Sequence, residues 1–169
     1  MSEYTPVVSV VIPYSPDHTS KEQLDEAIES VEEQNINTNI HIIEDNKQRG
    51  PSWARNVGIQ KSDSDYIAFL DADDLWYSHK LRRQLASLNS TESGICVEAP
   101  TEISESSFIR QLFLGNIQSV TSSILIDTRK VNCTFDEDLK RREDHLFILE
   151  ASVEAGVCFC PNIVKIRKH

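Results

Sequence analysis

The sequence predicts an α/β protein: a three-layer α/β/α sandwich around a mostly parallel sheet. β-branched runs that read as strands covered on both faces alternate with amphipathic helical stretches. The first strand, helix and strand fit within about 40 residues, the span of a βαβ unit. The length, 169 residues, suits one domain with a real core.

Residues 7–13, VVSVVIP, are nearly all β-branched and read as a doubly covered strand. Ser20 then opens SKEQLDEAIESVEEQN, with Gln23 three residues on, as in a capping box. Leu24, Ala27, Ile28 and Val31 follow the i, i+3, i+4, i+7 rule, which makes this stretch an amphipathic helix. Residues 37–44, NTNIHIIE, give a second strand. A loop follows, punctuated by Gly50 and Pro51, and Pro51 suits the first turn of a helix. Residues 65–70 are the third strand, followed by a helix from about 79 to 88 with Leu81, Leu85 and Leu88 on one face. Further on come a strand at 94–99, a short helix at 106–114 and a strand at 119–127. A helix at 143–155 carries Leu146, Leu149 and Val153 as its apolar stripe, and VCFCPNIVKI closes the chain with one or two strands. No repeat, linker or low-complexity segment interrupts the series, so residues 1–169 read as a single domain.

The net charge of −10 argues against nonspecific nucleic-acid binding, which needs a dense basic surface. An anionic substrate would need local help from a metal ion or selected arginines. No stretch reaches the roughly 20 apolar residues of a membrane span. The N-terminus has no basic region, carries Glu3, and its apolar run is short for a signal peptide. A cytoplasmic protein is expected, with Cys96, Cys133, Cys158 and Cys160 as reduced, mostly buried thiols.

The third strand ends in DYIAFLDADDLWYSHKL, where Asp71, Asp73 and Asp74 crowd together. Like charges this close repel. In open α/β sheets, ligands bind beyond the carboxyl ends of the strands. Glu44 and Asp45 stand at that end of the second strand, and Tyr14 and Ser15 at that end of the first. A hard divalent cation, Mg²⁺ or Mn²⁺, would relieve the repulsion among the aspartates. Taken alone, the cluster also fits a helix-capping role.

The ordered series VVSVVIPYS, LDEAIESVEEQN, HIIEDN, GPSWARNVGI and DYIAFLDADDLWYSHKL resembles the family 2 glycosyltransferases of the GT-A fold. Those typically show V-S-V-I-I-P-x-Y-N, a helix ending S-x-x-x-Q, I-x-V-D-D-G-S, G-x-x-x-A-R-N-x-G and F-L-D-A-D-D-x-W. The likeness resumes at SSILID, FDEDLKRRED and KIRKH, and covers nearly the whole chain. It implies an inverting transfer of sugar from a nucleotide-diphosphate donor to an acceptor hydroxyl, aided by Mn²⁺ or Mg²⁺. Position by position, Asp73 would ligate the metal, and Asp71 would help hold both metal and ribose. Asp74 would support them or cap the next helix. Asp45, with Glu44 beside it, would contact the base, and Pro13 and Tyr14 would line its pocket. Arg55 and Asn56 would lie near the donor. In the pair Glu143–Asp144, Asp144 would be the general base. His169 would be a further metal ligand. A UDP-sugar is the default donor, and the acceptor a glycan or lipid-linked sugar. Residues 1–90 would form roughly the nucleotide-sugar half and 91–169 the acceptor half. Peripheral membrane or partner-subunit association is compatible with this reading.

Three departures stand out. EDNKQRG replaces D-D-G-S, the loop PYSPDHT looks shortened, and only 68 residues separate Asp74 from Glu143. These keep open a catalytically silent nucleotide-sugar-binding subunit. A sugar-phosphate nucleotidyltransferase fits less well, because the loop after the first strand has no glycine.

Overall fold

The computed structural model describes residues 6–117 and 121–167. The elements run β1 (Val7–Tyr14), α1 (Lys21–Glu32), β2 (Asn37–Glu44), α2 (Pro51–Lys61), β3 (Tyr66–Phe69), β4 (Leu75–Trp76) and α3 (Lys80–Thr91). They continue with β5 (Ile95–Val97), α4 (Glu105–Leu114), a 3-10 turn at Thr121–Ser123, β6 (Leu125–Asp127), α5 (Glu143–Ala155), β7 (Val157–Phe159) and β8 (Val164–Lys165). The main sheet has the order β2-β1-β3-β6-β5-β7, and β4 pairs with β8 in a small second sheet. β1 is parallel to β2 and β3, and β5 to β7, while β6 runs antiparallel to both of its neighbours.

The β-branched run of β1 does what such a run predicts. Val8, Val10 and Ile12 pack on one face with Leu24, Ala27 and Val31 of α1 and Leu81, Leu85 and Leu88 of α3. Val11 packs on the other face with Ala54, Ile67, Phe69, Phe147 and Ile148. Alternation along the strand thus feeds two cores, one on each side of the sheet. The capping box of α1 forms as expected: Gln23 N–H donates to Ser20 Oγ at 3.2 Å, and Ser20 N–H to Gln23 Oε1 at 2.9 Å. α2 begins at Pro51, as its sequence predicts.

Two expectations need correction, and one strand arises that the sequence does not predict. The stripe Leu146, Leu149 and Val153 does not face the core; Val153 is 80% exposed. α5 buries Phe147, Ile148, Ala151 and Ser152 instead. Both sides of this helix are apolar in sequence, so periodicity could not choose between them; the phenylalanine contacts did. Phe147 stacks on Phe135 at 4.1 Å between ring centroids and meets Phe69 edge-on at 5.8 Å. Of the strand expected over 119–127, residues 119–120 lie outside the described residues, Thr121–Ser123 form a 3-10 turn, and β6 covers Leu125–Asp127. β4 was not foreseen, since two residues carry no period; it exists through pairing with β8 from the far end of the chain.

The thiols follow expectation. Cys96, Cys158 and Cys160 are buried and Cys133 is half-buried, all unbridged. Among the described residues, no helix is long and apolar enough to cross a membrane.

Candidate active site

The carboxyl ends of β1, β2 and β3 meet at a cleft of about 510 Å³. Pro13 and Tyr14 line it from the end of β1, Asp45 from the end of β2, and Asp71 and Asp73 from the end of β3. Arg55 from α2 and Glu143 from the start of α5 complete the wall.

Asp45 explains how the chain manages without the glycine turn. Its Oδ1 accepts from Arg49 N–H at 2.9 Å and its Oδ2 from Gly50 N–H at 2.7 Å. Burial works against its charge, but these backbone donors, that of Lys47 and the Arg49 guanidinium more than offset it and hold the carboxyl below its usual range. Gly50, at φ 101°, takes a backbone shape that side chains disfavour and leads directly into α2. Gln48 Nε2 donates to Asp17 Oδ2 at 3.2 Å, tying the loop after β2 to the loop after β1.

Arg55 is 3% exposed. Its guanidinium donates to Asp71 Oδ1 at 2.8 Å and to Glu143 Oε1 at 3.3 Å, and lies 5.2 Å from the centre of the Phe135 ring. Burial disfavours its charge, yet the two carboxylates raise its pKa above the ordinary value. Arg55 therefore joins the acidic turn to the start of α5, rather than pointing both arms into the cleft.

Ser122 holds that turn from the other side. Its hydroxyl donates to Asp74 Oδ2 at 2.6 Å and accepts from Asp71 N–H at 3.0 Å. Its carbonyl accepts from Trp76 Nε1 at 2.8 Å. Burial raises Asp74 to about 6, helped by the charges of Asp71 and Asp73; the Ser122 hydroxyl and Arg167 N–H pull it back down. Asp74 thus serves the turn itself: α3 starts at Lys80 with no side-chain cap.

Not every expected residue reaches the cleft. Glu44 is exposed and does not line it. Asn56 is buried elsewhere: its amide donates to Phe135 O at 2.9 Å and to Glu137 Oε1 at 2.8 Å, and accepts from Phe135 N–H at 2.8 Å. It pins the segment leading to α5. Asp144 lies one residue beyond the Glu143 wall, with its Oδ1 on His145. His169 lies outside the described residues. Ser122, Gln48 and His145 went unnoticed in the sequence; a serine in TSSILID or a histidine after a Glu-Asp pair carries no spacing signal.

The donor set at the acidic turn is oxygen only, which suits a hard divalent ion. Among the described residues, no three metal-ligating side chains converge on one point. The fit is therefore to an ion held by one or two carboxylates, with its other positions left to water and phosphate oxygens.

The model of the family described as glycosyl transferase family 2 matches residues 9–148. The chain belongs to glycosyl transferase family 2. Its fold is GT-A: TarS of S. aureus, solved as residues 1–349 with UDP-GlcNAc, superposes with a TM-score of 0.74 at 16% identity, over 96% of this chain and 59% of that one. A mannosyltransferase of Pyrobaculum calidifontis, solved with GDP-Man and Mn²⁺, superposes with a TM-score of 0.72 at 14% identity, over 94% and 56%. Among curated relatives, a putative teichuronic acid biosynthesis glycosyltransferase of Bacillus subtilis is 25% identical over 111 residues, which is 50% of this chain and 43% of that protein. An uncharacterized glycosyltransferase of Rickettsia bellii is 59% identical over 39 residues, 23% of this chain and 6% of its own. The chain thus spans less than half the length of these curated relatives.

Proposed function

We propose that this family 2 chain transfers a sugar from a UDP-sugar to an acceptor hydroxyl, with inversion and with a divalent cation. The observation that carries the reading is the cleft: three strand ends, the Arg55 bridge and the start of α5 deliver their polar groups to one rim.

Pro13, Tyr14 and Asp45 would enclose the base, and Asp71 and Asp73 would hold the ion against the donor diphosphate. When bound, the ion supplies Lewis-acid stabilisation of charge on the departing diphosphate. Arg55 keeps Asp71 in place and ties it to Glu143. Asp144 would take the proton of the acceptor hydroxyl, whose oxygen attacks the anomeric carbon from the face opposite the leaving diphosphate. TarS binds UDP-GlcNAc in its solved complex, which supports a UDP-sugar here, and the Mn²⁺ of the mannosyltransferase complex supports a metal. A glycan or lipid-linked acceptor agrees with the teichuronic acid relative and with an Escherichia coli relative named as acting on α-D-GlcNAc-diphosphoundecaprenol.

The test is release of nucleoside diphosphate from a panel of nucleotide sugars with Mn²⁺. UDP-sugars should turn over, and Asp73→Asn should remove the metal-dependent rate. Asp144→Asn should lower kcat by on the order of 10²–10⁴ while donor KM holds. Donor binding without turnover, unaffected by Asp144→Asn, would instead identify a silent binding subunit.

A further inference from the structure

His145 has no part in the chemistry so far, yet its ring rests on the carboxylate assigned as base. Asp144 Oδ1 accepts from the His145 backbone N–H at 2.8 Å, and the ring Nδ1 lies 2.8 Å from the same oxygen. The pair is partly shielded, with side chains 24% exposed for His145 and 18% for Asp144. The turn before it is fixed as well. Arg142 enters α5 with φ 62°, and Glu143 is held by Arg55. His145 also lines a cleft of about 210 Å³ between α4 and α5, with Leu112, Phe113, Arg142, Leu146 and Leu149.

A carboxylate in the first turn of a helix has several orphan backbone N–H groups within reach. Held only by its backbone contact, it can rotate and bring either oxygen outward. A second donor on the same oxygen, fixed by a ring, removes that freedom. A base must come within about 2.6–3.2 Å of the proton that it takes. A misplacement of about 1 Å can cost on the order of 10²-fold in rate.

We propose that His145 is the positioning residue of the base: its Nδ1–H holds Asp144 Oδ1, so that Oδ2 is the oxygen presented to the acceptor. The proposal rests on the transferase reading above. In the step, the acceptor O–H bond breaks and its proton goes to Asp144 Oδ2. The oxygen's electron pair forms the new bond to the anomeric carbon. The bond from that carbon to the diphosphate breaks, and its pair leaves with the diphosphate. His145 keeps its proton throughout.

Two measurements on the full chain test this. Long-range ¹H–¹⁵N NMR reads the tautomer of each of the five histidines. The His145 signal is the one lost in His145→Asn. The expected ring is the Nδ1–H tautomer, and Asp144→Ala should move it towards Nε2–H. The second measurement is UDP release from UDP-GlcNAc with Mn²⁺ and water as acceptor. His145→Asn can place an N–H where the ring Nδ1 stood, so it should keep kcat within about threefold, whereas His145→Phe should lose on the order of 10–10²-fold at unchanged donor KM. An Nε2–H ring in the wild type, or wild-type kcat in His145→Phe, overturns the proposal while turnover by the wild type leaves the transferase reading standing. No turnover with any donor, beside an Nδ1–H ring that responds to Asp144→Ala, overturns the transferase reading and retains the contact.

Discussion

Ser122 braces the acidic turn from outside it. One buried hydroxyl satisfies Asp74 Oδ2 and Asp71 N–H at once. Ser122→Ala removes the acceptor of Asp71 N–H and one of the donors to Asp74, and a buried polar group left without its partner costs about 1–3 kcal/mol. Loss of a partner that orients metal ligands typically weakens metal affinity by about 10–100-fold. Ser122→Ala is therefore expected to weaken Mn²⁺ activation within that range, read as a shift of the Mn²⁺ concentration at half-maximal rate, and Ser122→Thr to recover most of it. Lys80 makes a second residue-level case. It is fully buried, donates to Gln84 Oε1 at 2.6 Å and lies 4.1 Å from the centre of the Trp76 ring. Burial pushes it down to about 7, against the opposing pull of Cys96, Cys160 and Glu98. Between that value and the ordinary lysine pKa, the unfolded chain binds a proton that the fold does not. This group's contribution to stability therefore rises with pH from about 7 towards 10.5 and is flat below 7. Urea midpoints in the wild type should rise across that window relative to Lys80→Met. A difference that stays constant with pH would show that Lys80 keeps its proton in the fold. The aspartates of the cleft were legible because charge at the end of an apolar strand is conspicuous. Ser122 and Lys80 were not, because a lone serine and a helix lysine look like ordinary surface until tertiary contacts bury them.

At the scale of elements, strong periods and chemical caps read true. β2, α2 and α5 sit where their residues predicted, and the Ser20–Gln23 box starts α1. What failed was the choice of face on α5, where apolar residues surround the helix, and the existence of β4, which depends on a partner about 90 residues away. Close approach between elements was equally hidden. A Cβ at Gly58 of α2 would lie 2.2 Å from Val11 Cγ1 and 2.6 Å from its Cγ2. Alanine favours a helix over glycine by about 1 kcal/mol, while overpacking a core costs about 1–3 kcal/mol. Overpacking should win here. Val11 is fully buried in a central strand, and its branched side chain has little rotamer freedom. Gly58→Ala should therefore destabilise the protein by roughly 1–2 kcal/mol. A double-mutant cycle with Val11→Ala should recover part of the loss, and additive effects would refute the contact.

Across the whole molecule, the two cores decide how it unfolds, and the cleft decides what stabilises it. The core that contains Val8 and Leu24 also takes Cys96, Leu125 and Cys158, and the core around Val11 and Phe69 takes Ile95, Phe147 and Val157. Each core thus draws on both halves of the sequence. Trp76 belongs to the first core and Trp53 packs against the second. In Trp53→Phe, and separately in Trp76→Phe, the fluorescence of the remaining tryptophan should fall with the same urea midpoint as the far-UV signal; separate midpoints would mean that the two faces unfold independently. Ligand linkage follows from the charge balance. At −10 overall, the protein repels a diphosphate at long range. The cleft's buried cation, Arg55, is already engaged by Asp71 and Glu143. UDP alone should therefore raise the melting temperature little, and Mn²⁺ alone should act weakly through two carboxylates. Together each supplies the charge that the other needs. At 100 times the joint dissociation constant, linkage amounts to about 2.7 kcal/mol. The expected result is a rise with Mn²⁺–UDP well beyond the sum of the separate shifts, abolished by Asp73→Asn. An equal rise with UDP alone would mean that the nucleotide is held without the ion and that the acidic turn serves another purpose.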